Sequence, residues 1–369
     1  MTTGIVYHPA YLSHEQHPSH PERKERLSYT LDQLDEEGIW DDPGIIRITP
    51  APANEADIRA VHSEEYLTFL RTMSRTGGYI DFDTNIPPGL YDSARLAAGG
   101  AIAAADAVCN GSVDNAFALV RPPGHHARTG MGAGFCYLNN MAIMVRRVQE
   151  NGYKKVMILD WDAHHGDGTQ DIFYDDNSVL FSSIHQSLFY PGTGYIYETG
   201  AGAGEGYTVN MPVPAGTTDE SYRYLFSEVI EPLAHEFQPD FIAVSAGQDN
   251  HFTDPLTGLA LTARGYADMM QRAVNLSKDL CGGRLAAVLE GGYSVEAGLP
   301  YTNLGVIAAM AGMDLTGIRE PRAYETLLSR AVDPSAHLQV IKTTRDLSMV
   351  LGKYWRCFQE LTSFTDGIK

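Results

Sequence analysis

Asp162 and His164 stand two residues apart at the end of an apolar run, in the stretch ValMetIleLeuAspTrpAspAlaHisHisGlyAspGlyThr at 156–169. In an extended chain, side chains at i and i+2 project to the same face, so a carboxylate and an imidazole are offered together to one cation. A second apolar run, AspPheIleAlaValSerAlaGlyGlnAsp at 240–249, ends on Asp249. Open parallel α/β sheets bind ligands outside the carboxyl ends of their strands, so Asp162, His164 and Asp249 are expected to meet on one rim. Three protein ligands with a free fourth position is the pattern of a catalytic rather than a structural zinc.

Two further runs lead to the same rim. PheAlaLeuVal at 117–120 continues into ArgProProGlyHisHisAla, where Pro122 and Pro123 fix φ and remove two donors. This predicts a stiff loop presenting His125 and His126, whose imidazoles suit proton transfer near neutral pH. ArgLeuAlaAlaValLeu at 284–289 ends in GluGlyGlyTyr. Gly291 and Gly292 tolerate conformations other residues avoid, which would let Tyr293 swing over the rim.

These runs belong to an alternating pattern of the doubly wound kind. Strands are predicted near 4–7, 45–49, 116–120, 155–161, 179–184, 207–212, 240–246 and 284–290, with helices at 93–108, 139–149 and 222–237 between them. The helix at 93–108 is rich in small residues, which indicates close packing. The chain of 369 residues has 44% hydrophobic and 20% charged residues, values of an ordinary globular protein. Because the motifs spread over four strands, one domain over 1–369 is the simpler reading, with a motif-bearing core at about 5–310 and a polar, helical surface appendage at 320–369.

No run of 18 apolar residues occurs and the start has no basic region before an apolar stretch, so neither a membrane span nor a secretory signal is expected. The four cysteines, Cys109, Cys136, Cys281 and Cys357, form no CxxC pair. They suit a reducing cytoplasm, with Cys136 a small buried packing residue. A formal net charge of −19 argues against general nucleic-acid binding and would attract cationic partners.

Taken in order, HisProGluArg at 20–23, ArgProProGlyHisHis at 121–126, GlyPheCysTyrLeuAsnAsn at 134–140, the Asp-x-His stretch at 160–169, TyrProGlyThrGly at 190–194, SerAlaGlyGlnAsp at 245–249, AspProLeuThrGly at 254–258 and GluGlyGlyTyr at 290–293 resemble the histone deacetylase family. The resemblance implies the arginase/deacetylase fold, a three-layer α/β/α domain on a mostly parallel eight-stranded sheet. It also implies amide hydrolysis at one divalent ion, Zn2+ or Fe2+ in its place, bound by Asp162, His164 and Asp249. The ion would polarise the substrate carbonyl and activate water. By the same resemblance His126 is the general base and acid with Asp167 as its partner, His125 an electrostatic helper partnered by Asp160, and Tyr293 a donor to the oxyanion.

The resemblance further maps Phe135 and Tyr190 to facing walls of an acyl-lysine tube, Gly134 to a close backbone approach and Leu256 to its mouth. It implies K+ or Na+ sites as well: one on Asp160, Ser183 and the carbonyls of Asp162, His164 and Ile184, another on carbonyls of Phe173, Asp176, Val179 and Tyr207. Tyr190 replaces the usual phenylalanine and Gln248 precedes the metal-binding Asp249, both departures from the common pattern. His14, His17 and His20 are read as loop packing.

The expected substrates are acylated lysines in proteins or peptides, with acylated polyamines as the alternative. A two-metal ureohydrolase would need extra ligands where Gly166, Gly247 and His251 stand. A non-catalytic acyl-ligand binder has no use for a proton shuttle and an oxyanion donor together.

Overall fold

The computed structural model describes residues 1–17 and 19–363, with side chains to residue 359. Among the described residues ten strands form: β1 Thr3–Val6, β2 Ile45–Ile48, β3 Gly78–Tyr79, β4 Asn85–Ile86, β5 Asn115–Ala118, β6 Val156–Asp160, β7 Val179–Gln186, β8 Thr208–Val213, β9 Phe241–Ala246 and β10 Leu285–Leu289. Eight make one sheet in the order β2-β1-β5-β10-β9-β6-β7-β8, all neighbours parallel, and β3 and β4 form a small ribbon. These eight are the strands read from the sequence, displaced by at most three residues at an end. Every residue of β5, β6, β9 and β10 is buried, as expected when helices cover both faces of a parallel sheet.

The small-residue helix, Leu90–Cys109, packs where a larger side chain could not fit. A Cβ on Gly99 would lie 1.9 Å from the Ala51 carbonyl oxygen, and one on Gly100 would lie 2.6 Å from the Tyr11 hydroxyl. The helix expected at 222–237 is observed as Asp219–Leu225 and Glu231–Phe237, joined by a π-helical turn at Phe226–Ile230. The apolar spacing predicts a helix without revealing this change of pitch.

The segment read as a surface appendage is more closely bound than its polarity suggests. Helix Ala336–Leu351 packs against β8, burying Val340, Leu347 and Leu351. Trp355 and Phe358 are buried too, and the Trp355 indole donates to the Gly206 carbonyl at 2.7 Å. Residues 364–369 of that segment lie outside the described residues.

The HisProGluArg segment brings Glu22 into the interior between two guanidiniums. Arg121 Nη2 donates to Glu22 Oε2 at 2.9 Å and Arg26 Nη1 to Oε1 at 3.2 Å, with all three side chains fully buried. Burial alone would raise the Glu22 pKa, but Arg121, His14 and Arg26 hold it well below the usual carboxylate range. Arg121 also donates to the carbonyls of Tyr11 and His14, and Arg26 to those of Gly292 and Glu290. Three segments distant in sequence are thus joined beneath the rim. Glu22→Gln, which leaves two buried cations without their counter-charge, is expected to destabilise the fold by about 3–5 kcal/mol, measured as a lower urea midpoint at unchanged m-value.

Candidate active site

Asp162 and His164 lie in the loop after β6 ends at Asp160, and Asp249 lies three residues beyond β9. The pair converges, but in a turn rather than an extended strand: the His164 backbone N–H donates to Asp162 Oδ1 at 2.9 Å. His164 Nδ1 sits 3.2 Å from Asp162 Oδ1 and 2.9 Å from Asp249 Oδ2. One ligand atom from each of the three falls within 4.8 Å of the others. Both carboxylates are fully buried and share one imidazole. Burial opposes charge on His164, yet Asp249 and Asp162 raise its pKa to about 10, while Asp249 is raised by burial and by Asp162. Two buried carboxylates and a nitrogen suit a divalent cation, which would balance their charge in place of a proton.

Backbone donors fix these carboxylates. Asp249 Oδ1 accepts from Ala163 N at 2.8 Å, and Asp162 Oδ2 accepts from Gly291 N at 2.7 Å. A Cβ on Gly291 would lie 2.4 Å from Asp249 Oδ2 and 2.6 Å from Asp162 Oδ2. The need for glycine at 291 is therefore space beside the carboxylates, whereas Gly292 adopts a positive φ of 117°.

His125 and His126 lie side by side, with ring centroids 4.0 Å apart, and their environments differ. His126 Nδ1 is 2.7 Å from Asp167 Oδ1, yet burial and the neighbouring His125 lower its pKa to about 4. His125 Nδ1 is 3.1 Å from Asp160 Oδ2; burial pushes its pKa down, but Asp162 and Asp160 hold it well above the ordinary value. Their surroundings thus push the two neighbouring imidazoles in opposite directions.

Around them stand the residues assigned to the tube. Gly134 and Phe135 both have positive φ, 53° and 69°, and a Cβ on Gly134 would lie 2.5 Å from the His126 ring and 3.1 Å from that of Tyr190. The Tyr190 ring meets His126 edge-on at 5.1 Å, and Phe135 meets Tyr293 edge-on at 5.8 Å. Asp254 accepts from Leu256 N at 2.9 Å with one oxygen and from Tyr293 N at 2.7 Å with the other, tying the expected mouth to the expected oxyanion donor.

The same architecture occurs in a solved protein. The crystal structure of the HDA15 HD domain matches 98% of this chain and 98% of its own with a TM-score of 0.86 at 35% identity. Residues 20–308 match the family described as histone deacetylase domain. The chain belongs to the histone deacetylase family. A protein named "Probable deacetylase" from Archaeoglobus fulgidus is 61% identical over 97% of this chain and 100% of its own length. A "Histone deacetylase-like amidohydrolase" from Pseudomonas aeruginosa is 36% identical, covering 86% and 82% respectively.

This deacetylase is accordingly a hydrolase of a metal-dependent family. Among the described residues no helix is long and apolar enough to cross a membrane. All four cysteines are free thiols. At the first expected monovalent-cation site, Asp160 and Ser183 pair across β6 and β7 with Ile184 next in the strand, and Ser183 Oγ lies 2.8 Å from His185 Nδ1. At the second, the carbonyls of Phe173, Asp176 and Tyr207 already accept backbone N–H groups from Asp176, Val179 and Phe181. Gln248 is buried and donates to Asn303 Oδ1 at 3.2 Å. Of the three loop histidines, His20 packs edge-on against Phe135 at 4.5 Å, His14 is buried 3.3 Å from Glu22, and His17 lies 2.9 Å from Ser19 Oγ.

The sequence reading missed the groups that hold the loops of this candidate site. Glu290 Oε2 accepts from Gly124 N at 2.7 Å and His125 N at 3.1 Å, and Arg128 donates to Asp167 at 2.9 Å. Asn139 caps helix Asn140–Glu150 through Ala142 N and donates to the Ala127 carbonyl, while Asn140 donates to that of Pro122. The adjacent asparagines before an apolar helix were a legible N-cap signal. His62 had none: its Nε2 accepts from Asn139 N at 2.9 Å, so the Nδ1–H donates to the Arg128 carbonyl at 3.0 Å.

Burial lowers the His62 pKa to about 4, against an ordinary value of 6.5. The unfolded chain therefore binds the extra proton first as pH falls. Stability supplied by neutral His62 is present above pH 6.5 and is lost as pH falls toward 4. The urea midpoint is expected to fall less between pH 7 and pH 5 in His62→Gln than in the wild type; equal losses would remove His62 from the account.

Proposed function

We propose that the protein hydrolyses N-acyl lysine side chains, acetyl above all, in proteins or peptides. Asp162, His164 and Asp249 would hold the divalent ion, Zn2+ or Fe2+, whose chemistry is to polarise the amide carbonyl and acidify water. The remaining work belongs to the chain. His126 accepts a proton from the attacking water and returns one to the leaving amine, with Asp167 holding its Nδ1–H inward. Charged His125, supported by Asp160, stabilises developing negative charge, and the Tyr293 hydroxyl donates to the oxyanion. Gly134, Phe135 and Tyr190 enclose the aliphatic stem. Monovalent ions, K+ or Na+, at the two carbonyl-rich turns would stiffen the loops beneath.

The observation that carries this reading is the buried His126, its Nδ1 2.7 Å from Asp167 and its ring centroid 6.2 Å from that of His164. A pure binder has no physical need for that arrangement. Tyr293→Phe removes one hydroxyl and leaves the carboxylates untouched, so kcat is expected to fall by about 10²–10³ with metal content unchanged, by steady-state kinetics and metal analysis. Near-parental turnover would return Tyr293 to the role of a turn residue.

The choice of acyl-lysine over acylpolyamine rests on the mouth. Leu256 is apolar, and nearby Asp254 is buried with both oxygens turned to backbone N–H groups, so the mouth presents no exposed carboxylate to a second ammonium. One observation favours polyamines: Asp81 and Asp83, in the loop between β3 and β4, place negative charge close enough to act on Tyr190. An acetyl-lysine peptide is expected to show the higher kcat/KM beside acetylspermidine and acetylputrescine, and Leu256→Glu to shift the ratio toward the polyamines. A parent preference for a polyamine of about tenfold or more, roughly 1.4 kcal/mol, would falsify the assignment.

A further inference from the structure

His125, Cys136 and Glu290 form a second convergent set of ligands, sharing no residue with the first. One ligand atom from each lies within 4.8 Å of the others. All three side chains are buried, Cys136 and Glu290 completely. Glu290 spends Oε2 on two backbone N–H groups, but its Oε1 has no hydrogen-bond partner although no solvent reaches it. A buried carboxylate oxygen left unpaired is costly, and the usual remedy is a donor or a cation.

We propose that His125, Cys136 and Glu290 form a second divalent-cation site, selective for a soft ion such as zinc, whose occupation inhibits the enzyme. Thiolate, imidazole and carboxylate are the three donor classes zinc takes, and a thiolate discriminates against magnesium and calcium. On binding, the Cys136 thiol loses its proton to solvent as the sulfur–metal bond forms. An imidazole that ligates a cation is held by it, so an ion here draws His125 away from its place beside His126, whose ring centroid lies 4.0 Å off. Zinc would support hydrolysis at the first site and suppress it when it also fills the second. The inhibitory part rests on the catalytic reading above; the binding part does not.

Cadmium is the probe, because its thiolate complexes absorb in the ultraviolet and the first site contains no sulfur. Protein already holding one zinc per chain is titrated with Cd2+. The expected result is a second ion per chain with zinc retained, a cadmium–thiolate band, and a parallel fall in acetyl-lysine hydrolysis. Cys136→Ser should abolish the band and raise the inhibitory concentration about tenfold or more. Glu290→Gln should weaken band and inhibition together while leaving the thiol in place. An absent band, or a band that persists in Cys136→Ser, overturns the site. A normal band without inhibition overturns the link to His125. If the untreated protein hydrolyses no acyl-lysine, the catalytic reading fails, while stoichiometry and absorption still decide the site.

Discussion

Buried carboxylates that accept hydrogen bonds from backbone N–H groups of other loops organise this molecule. Asp162 accepts from Gly291, Asp249 from Ala163, Glu290 from Gly124 and His125, and Asp254 from Leu256 and Tyr293. A carboxylate removed from water must find such donors or a cation. Each one therefore ties together loops that leave different strands. The rim is held by acids that face inward, and a divalent ion on Asp162, His164 and Asp249 would offset part of their charge.

The two neighbouring histidines show how that field divides labour between like groups. His125 faces Asp160 and Asp162, which hold its pKa above the ordinary value, whereas burial and the neighbouring His125 lower that of His126 to about 4 despite its one carboxylate partner. Adjacent positions on one stiff loop are thus pushed in opposite directions by their surroundings. This is the separation that general acid–base chemistry needs. Arg128, bonded to the far oxygen of Asp167, fixes the orientation of the carboxylate that holds His126.

Beneath the acids lies the buried trio of Glu22, Arg26 and Arg121. Arg26 donates to the carbonyls of Glu290 and Gly292 and sits 4.9 Å over the Tyr293 ring. The N-terminal segment, remote from every strand end that carries chemistry, is thereby a support for the residue assigned to the oxyanion. Packing of the C-terminal helices on β8 closes the far edge of the sheet in the same spirit, with Trp355 and Phe358 as anchors.

The sequence by itself determined the eight strands, the assignment of Asp162, His164 and Asp249 to one rim, and the stiff loop that presents His125 and His126. Those features are local: apolar runs of strand length, glycines and prolines at their ends, and polar residues just beyond. Tertiary structure alone decided that the Asp162–His164 pair meets in a turn, that Gly291 is needed for space, that the helix at 222–237 carries a π turn, and that the last helices are anchored. It also decided the roles of Glu22, Arg26, Glu290, Asp254 and His62. Partners such as Arg121 for Glu22, Gly292 for Arg26, Gly124 for Glu290, Tyr293 for Asp254 and Asn139 for His62 lie tens to hundreds of residues away, and a charged residue reads the same in sequence whether it faces solvent or a buried counter-charge. Only folding, by removing water, makes that difference an energy.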